Sequence, residues 1–197
     1  MPTVEIDPET ARKRLEEAGA DLESGNTSYE RWRATLGEAN AVAYEDKVVV
    51  QGSRPADILG ILKPVGGHGY VYFDGASRGN PGPAAVGWVV VAEAGIVDEG
   101  GERIGQATNN EAEYEALLRG LEAAVALGFD SVDVRGDSEL IVKQIRGEYD
   151  VSAPHLKERR IKSRELLEHF DSWSIEAVPR EVNSRADELA NDALDAA

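Results

Sequence analysis

Between residues 70 and 194 the chain changes hydrophobic period in an order that few folds accommodate. Residues 70–73 (Tyr-Val-Tyr-Phe) form a β-rich run ending at Asp74-Gly75. Residues 85–92, valine-rich around Trp88, read as a second strand, and residues 96–104 as a polar strand at an edge. The period then switches. Residues 109–127 carry Leu117, Leu118, Leu121 and Val125 at helical spacing, and Gly128 stands at the C′ position that ends a helix. Residues 131–135 alternate as a strand, 138–145 and 156–170 return as helices, 173–178 is a last strand and 184–194 a last helix. The order β-β-β-α-β-α-α-β-α predicts a meander feeding parallel strands. The fold class expected is α/β, with a mixed five-stranded sheet, three antiparallel strands and then parallel ones, flanked by helices.

A smaller part precedes this one. Lys63-Pro64-Val65-Gly66-Gly67-His68-Gly69 interrupts the patterning with three glycines and a proline. That divides the chain into a small α+β domain (1–64), a glycine-rich linker (65–69) and the larger domain (70–197). Asp7-Pro8 is an N-cap followed by proline at the first helical position, predicting a helix to about Leu22. Thr27 and Glu30 have the spacing of a capping box, predicting a second short helix through Trp32 and Leu36. Residues 41–44 and 47–50 flank Glu45-Asp46 as a hairpin, and residues 57–62 are apolar but of undecided type. Tyr29, Trp32 and Tyr44 either fill a small core or stack on bases.

Composition excludes several classes. No apolar run approaches the roughly 18–20 residues that cross a membrane, and the first residues lack the basic-then-apolar pattern of a secretory leader. There is no cysteine, so disulfides and thiolate metal sites are absent. A cytoplasmic protein is expected. The formal net charge is −16, and Lys13, Lys47, Lys63, Lys143, Lys157 and Lys162 are the only lysines among 21 basic residues. An acidic, lysine-poor, arginine-retaining surface resembles proteins of halophilic archaea, which keep molar salt inside the cell. At about 1 M salt the Debye length is about 3 Å, so this charge does not exclude a nucleic-acid substrate.

Four carboxylates fall at telling places in the predicted order. Asp74 ends the first strand of the larger domain, Glu113 lies in the first turns of the long helix, Asp137 ends the fourth strand and Asp187 begins the last helix. In an open α/β sheet, sites gather at the carboxyl ends of strands and the starts of helices. Hard oxygen ligands without cysteine or clustered histidine suit Mg²⁺ or Mn²⁺. Spacing alone leaves open that these are solvated surface acids and helix caps.

The residues around them carry more. Residues 74–87 (DGASRGNPGPAAVG), residues 108–114 (TNNEAEY), Gly136-Asp137-Ser138 and residues 183–190 (NSRADELA) closely resemble, in order, the four motifs of the ribonuclease HI family. The resemblance covers residues 70–194. It implies that Asp74, Glu113, Asp137 and Asp187 are metal-binding, catalytic carboxylates, holding two Mg²⁺ or Mn²⁺ ions and needing no organic cofactor. It implies cleavage of the RNA strand of RNA–DNA hybrids to 5′-phosphate and 3′-hydroxyl ends. By the same resemblance Asn80, Asn109 and Asn110 would hold the hybrid through its minor groove and backbone. Gly75, Ser77 and Ser138 would belong to the same substrate-binding surface. Asparagine amides pair with base edges and sugars, and the 2′-hydroxyl is what separates RNA from DNA. Glu111, two residues from Glu113 and on another helix face, is expected to face solvent.

The chain departs from the family in places. Many members carry a histidine in the loop before the last acid, where this chain has Val178-Pro179-Arg180-Glu181-Val182-Asn183. Arg180 could supply a cation to a phosphate oxygen or make a loop salt bridge; it cannot act as a general acid near neutrality. The basic protrusion of some bacterial members is missing. Lys157, Arg160 and Arg164 share one helical face, either a solvated face or a phosphate grip. The N-terminal domain resembles no family that can be named from its sequence and could recruit a protein partner. The protein is expected to be a monomer that does not associate with membranes. Two alternatives stay open: a reverse-transcriptase-like domain with another nucleic-acid substrate, and a non-catalytic hybrid-binding module.

Overall fold

The computed structural model describes residues 1–196. The chain divides into two compact units: Met1–Gly66 with the short stretch Ala126–Gly128, and Gly67–Val125 with the residues from Phe129 onward.

In the first unit, β1 (Thr3–Glu5), β2 (Asp21–Ser24), β3 (Trp32–Leu36), β4 (Ala39–Ala43) and β5 (Lys47–Gly52) form one antiparallel sheet in the order β1-β5-β4-β3-β2. Two helices, α1 (Pro8–Glu17) and α2 (Ala56–Leu62), accompany it. Asp7 caps α1 as expected, its Oδ2 accepting the Thr10 N–H at 2.9 Å. The helix stops at Glu17 rather than near Leu22, because Gly19 turns the chain at φ +82° and Leu22 enters β2. The hairpin is present as β4 and β5, and residues 57–62 are helical.

The second helix expected from Thr27 through Leu36 is absent. Residues 32–36 are strand β3, in which Trp32 and Ala34 alternate into the core while Arg33 and Thr35 point away. Glu30 does reach back as a capping-box glutamate would. Its carboxylate accepts the Asn26 N–H at 2.8 Å and pairs with Arg33, so it closes a turn rather than opening a helix. Trp32 is buried and donates Nε1–H to the Pro8 carbonyl at 3.1 Å, whereas Tyr29 is 82% exposed.

The second unit has the predicted order: β6 (His68–Ser77), β7 (Gly82–Ala92), β8 (Gly95–Ala107), α3 (Asn109–Leu127), β9 (Ser131–Gly136), α4 (Glu139–Arg146), α5 (Pro154–Leu167), β10 (Ser172–Ala177) and α6 (Ser184–Asp195). Its sheet runs β10-β9-β6-β7-β8. The β6–β7 and β7–β8 pairs are antiparallel; β6–β9 and β9–β10 are parallel. This is the mixed five-stranded sheet expected.

Close contact between α6 and β7 depends on Gly87. A Cβ there would overlap the Ala186 carbonyl and the Ala190 nitrogen, so no other residue lets the helix lie so near the strand. The basic face of α5 has a structural use. Arg160 donates to the Gln144 carbonyl at 2.7 Å and Arg164 to the Ile145 carbonyl, satisfying the last carbonyls of α4, which ends at Gly147 in the left-handed conformation.

Candidate active site

Register brings the first two carboxylates together. Tyr72 on β6 pairs with Arg135 on the parallel strand β9, and two residues further along lie Asp74 and Asp137. Asp74 sits within β6, which continues to Ser77, rather than closing the strand. Its neighbour Gly75 has no Cβ to collide with the backbone of Ala112 and Glu113, so the first turns of α3 pack directly on β6 and deliver Glu113. One carboxylate oxygen from each of Asp74, Glu113 and Asp137 lies within 4.8 Å of the others. Asp74 is 4% and Glu113 5% exposed.

Like charges at that separation and burial oppose ionisation. Burial first, then the charges of Asp137 and Asp187, pushes Asp74 up to about 8. Burial, then Asp74 and Asp137, also holds Glu113 well above the usual carboxylate range. The buried Glu113 Oε2 has no hydrogen-bond partner. A buried carboxylate oxygen left unpaired beside two other acids is the arrangement that a cation satisfies, and this all-oxygen set fits a hard divalent ion.

The fourth acid is held differently. Asp187, in the first turn of α6, stands outside the 4.8 Å group. Its Oδ1 accepts from Arg180 Nη2 at 3.0 Å and from Asn191 Nδ2 at 3.2 Å, and its backbone N–H donates to the Asn183 carbonyl at 3.1 Å. The Arg180 side chain is nonetheless 73% exposed.

These groups open onto a cavity of about 410 Å³ lined by all four carboxylates with Gly75, Ser77, Asn109, Ser138, Arg180 and Asn191 among others. Asn80 and Asn110 do not line it. Asn80 Oδ1 instead accepts the Asn109 N–H at 3.2 Å, fixing the residue that does. Ser77 donates to the Ala107 carbonyl at 2.9 Å, and Ser138 caps α4 by accepting the Ile141 N–H at 3.4 Å.

Glu111 is not the free, solvent-facing acid expected. It accepts the Thr108 N–H at 2.8 Å while Thr108 Oγ1 accepts the Glu111 N–H at 3.2 Å, a capping box that starts α3, and it lies 4.0 Å from Arg159. The T-x-x-E spacing was present in the sequence and identifies this role. Asn191 was missed altogether. Its position four residues after Asp187, on the same helical face, was the available signal.

With this geometry in hand, similarity to known proteins becomes specific. The Reverse transcriptase-like family profile matches residues 72–193. Ribonuclease HI of Halobacterium salinarum is 57% identical over 197 residues, covering 99% of both chains. The first unit therefore has a counterpart there, which corrects the expectation of an N-terminal domain without one. The crystal structure of RNase H1 from Halobacterium salinarum NRC-1 superposes with TM-score 0.64 at 60% identity, covering 66% of this chain and 99% of that one. LC11-RNase H1, solved in complex with an RNA/DNA hybrid, gives TM-score 0.61 at 45% identity over 64% of this chain and 96% of its own. The end-to-end identity, the profile match and the shared catalytic fold carry one assignment: the chain belongs to the ribonuclease HI family.

Proposed function

We infer that this protein is a ribonuclease H, an endonuclease that hydrolyses the RNA strand of RNA–DNA hybrids. The observation that carries the reading is the group of Asp74, Glu113 and Asp137, the first two buried, with Asp187 beside it, opening onto one cavity in a chain so similar to ribonuclease HI. A hybrid-binding module without catalysis has no use for buried carboxylates held at raised pKa.

Asp74, Glu113, Asp137 and Asp187 would hold two divalent cations, Mg²⁺ or Mn²⁺. Bound there, the ions supply charge neutralisation of the acid cluster and electrophilic assistance at the phosphodiester. The chain's own residues place the hybrid. Asn109, pinned through its N–H by Asn80, presents its amide to the minor-groove edges and sugars of the duplex, where the 2′-hydroxyl marks the RNA strand. Gly75 and Ser77 keep the β6 rim low and polar, and Asn110 and Ser138 extend the same surface. Arg180, always charged, offers its guanidinium to a phosphate oxygen once it leaves Asp187; it transfers no proton. Products would carry 5′-phosphate and 3′-hydroxyl ends. The proposal includes a monomeric enzyme of a high-salt cytoplasm, with residues 1–64 as a separate domain able to recruit a protein partner.

The test is cleavage of an end-labelled RNA–DNA hybrid in molar KCl with Mg²⁺ or Mn²⁺, beside single-stranded RNA, double-stranded RNA and duplex DNA. Cutting confined to the RNA of the hybrid, and lost in Asp137→Asn, is the expected result. Equal cutting of other duplexes, or activity surviving in Asp137→Asn, would overturn the reading.

A further inference from the structure

Asp74 and Asp187 reach the site on elements far apart in sequence, yet hydrogen bonds through Asn183 link Asp187 to Phe73, the residue before Asp74. Asn183 is 1% exposed, and its Nδ2 donates to the carbonyl of Phe73, the residue before Asp74, at 2.9 Å. The Asn183 carbonyl accepts the Asp187 N–H at 3.1 Å. Four residues further along α6, Asn191 Nδ2 donates to both the Asp187 carbonyl, at 2.9 Å, and the Asp187 Oδ1, at 3.2 Å. Asn183 sits at the N-cap position of α6, but its side chain makes no capping bond. It is spent on the neighbouring strand instead, and its Oδ1 is left buried without a partner. An asparagine that gives up the capping bond and tolerates a buried unpaired oxygen is poorly explained by stability alone, because both features are unfavourable.

We infer that Asn183 and Asn191 are positioning residues that set the separation and orientation of Asp74 and Asp187, and so tune the cation affinity of the site that these two acids share. Asn183 ties the start of α6 to β6 beside Asp74. Asn191, together with Arg180, holds one oxygen of Asp187 and leaves the other for a ligand bond. Partners that orient metal-binding carboxylates in this way typically change metal affinity by about 10- to 100-fold when removed. The inference rests on the metal-dependent reading of the site given above.

The test compares Asn183→Asp, nearly isosteric but with an acceptor facing the Phe73 carbonyl, and Asn191→Ala with the wild-type chain. The control is Leu194→Ala, at a buried position on the same helix beyond Asn191. Mn²⁺ binding without substrate is measured by electron paramagnetic resonance in molar KCl, with the melting temperature of each variant and the KM for hybrid at saturating Mn²⁺. Both asparagine variants are expected to weaken Mn²⁺ binding at least about tenfold, with KM for the hybrid unchanged. Leu194→Ala is expected to melt earlier with Mn²⁺ binding unchanged. Undiminished Mn²⁺ binding in the asparagine variants, or an equal loss in Leu194→Ala, would overturn the inference. Failure of the wild-type chain to bind Mn²⁺ would overturn the metal-dependent reading beneath it.

Discussion

At the scale of single residues, Asp74 carries the largest electrostatic consequence. Its folded pKa of about 8 lies far above the roughly 3.9 of an unfolded aspartate. The folded protein therefore holds that proton more tightly than the unfolded chain does. In the absence of divalent ions, stability is lost as pH rises from about 4 through 8. Glu113, also raised, acts with the same sign. The lowered carboxylates Asp7, Glu99, Glu111 and Asp133 act in the other direction, as pH falls below the ordinary carboxylate range. Thermal melting in chelator should show a melting temperature that falls between pH 5 and pH 8, with the slope reduced in Asp74→Asn. At pH 8 that variant should melt at least about 3 °C higher than wild type, the shift made by about 1 kcal/mol in a chain of this size, while hybrid cleavage is abolished. An unchanged slope would mean that the acid cluster is not the source of strain.

At the scale of elements, helix placement matters more than helix formation. Gly87 admits α6 against β7, and α6 carries Asp187. Gly87→Ala forces a methyl group into the Ala186 backbone, an overpacking that costs about 1–3 kcal/mol. The expected outcome is a chain that still folds but cleaves hybrid about 100-fold more slowly, since displacements near 1 Å at a site cost about that much; near-normal cleavage would show that α6 has slack. In the first unit Trp32 joins α1 to β3 through packing and the Pro8 carbonyl. Trp32→Ala should cost about 3–5 kcal/mol in urea unfolding, whereas Tyr29→Ala, at an 82% exposed side chain, should stay within about 0.5 kcal/mol. Residues 27–36 form a turn and strand β3 where their capping-box spacing predicts a helix. The capping-box spacing was genuine but served a turn, and the two-residue alternation of Trp32 and Ala34 was the better signal.

At the scale of the whole molecule the net charge of −16 dominates. Self-repulsion of that size destabilises a compact chain, and salt at about 1 M screens it beyond about 3 Å. The surface ion pairs, such as Arg12–Glu16 and Lys143–Glu139, are solvated and contribute little, so screening them loses little. The melting temperature and the hybrid-cleaving rate should therefore both rise as KCl is increased from 0.1 M to about 2 M. Equal stability in dilute buffer would count against adaptation to high salt.

The sequence alone determined what is written in local chemistry: the order of periods, the N-cap at Asp7, the helix stop at Gly128, and four motifs whose acids pointed to ribonuclease H. These are short-range signals, each complete within a few residues. The tertiary structure decided what depends on register and approach. Parallel pairing of β6 with β9 set Asp74 beside Asp137, and the missing Cβ of Gly75 let Glu113 join them, while Asp187 was turned toward Arg180 and Asn191. It also turned Arg160 and Arg164 from a free basic face into partners for the end of α4. A charged side chain takes the partner that folding brings within about 3 Å, and no pattern of neighbours along the chain encodes that distance.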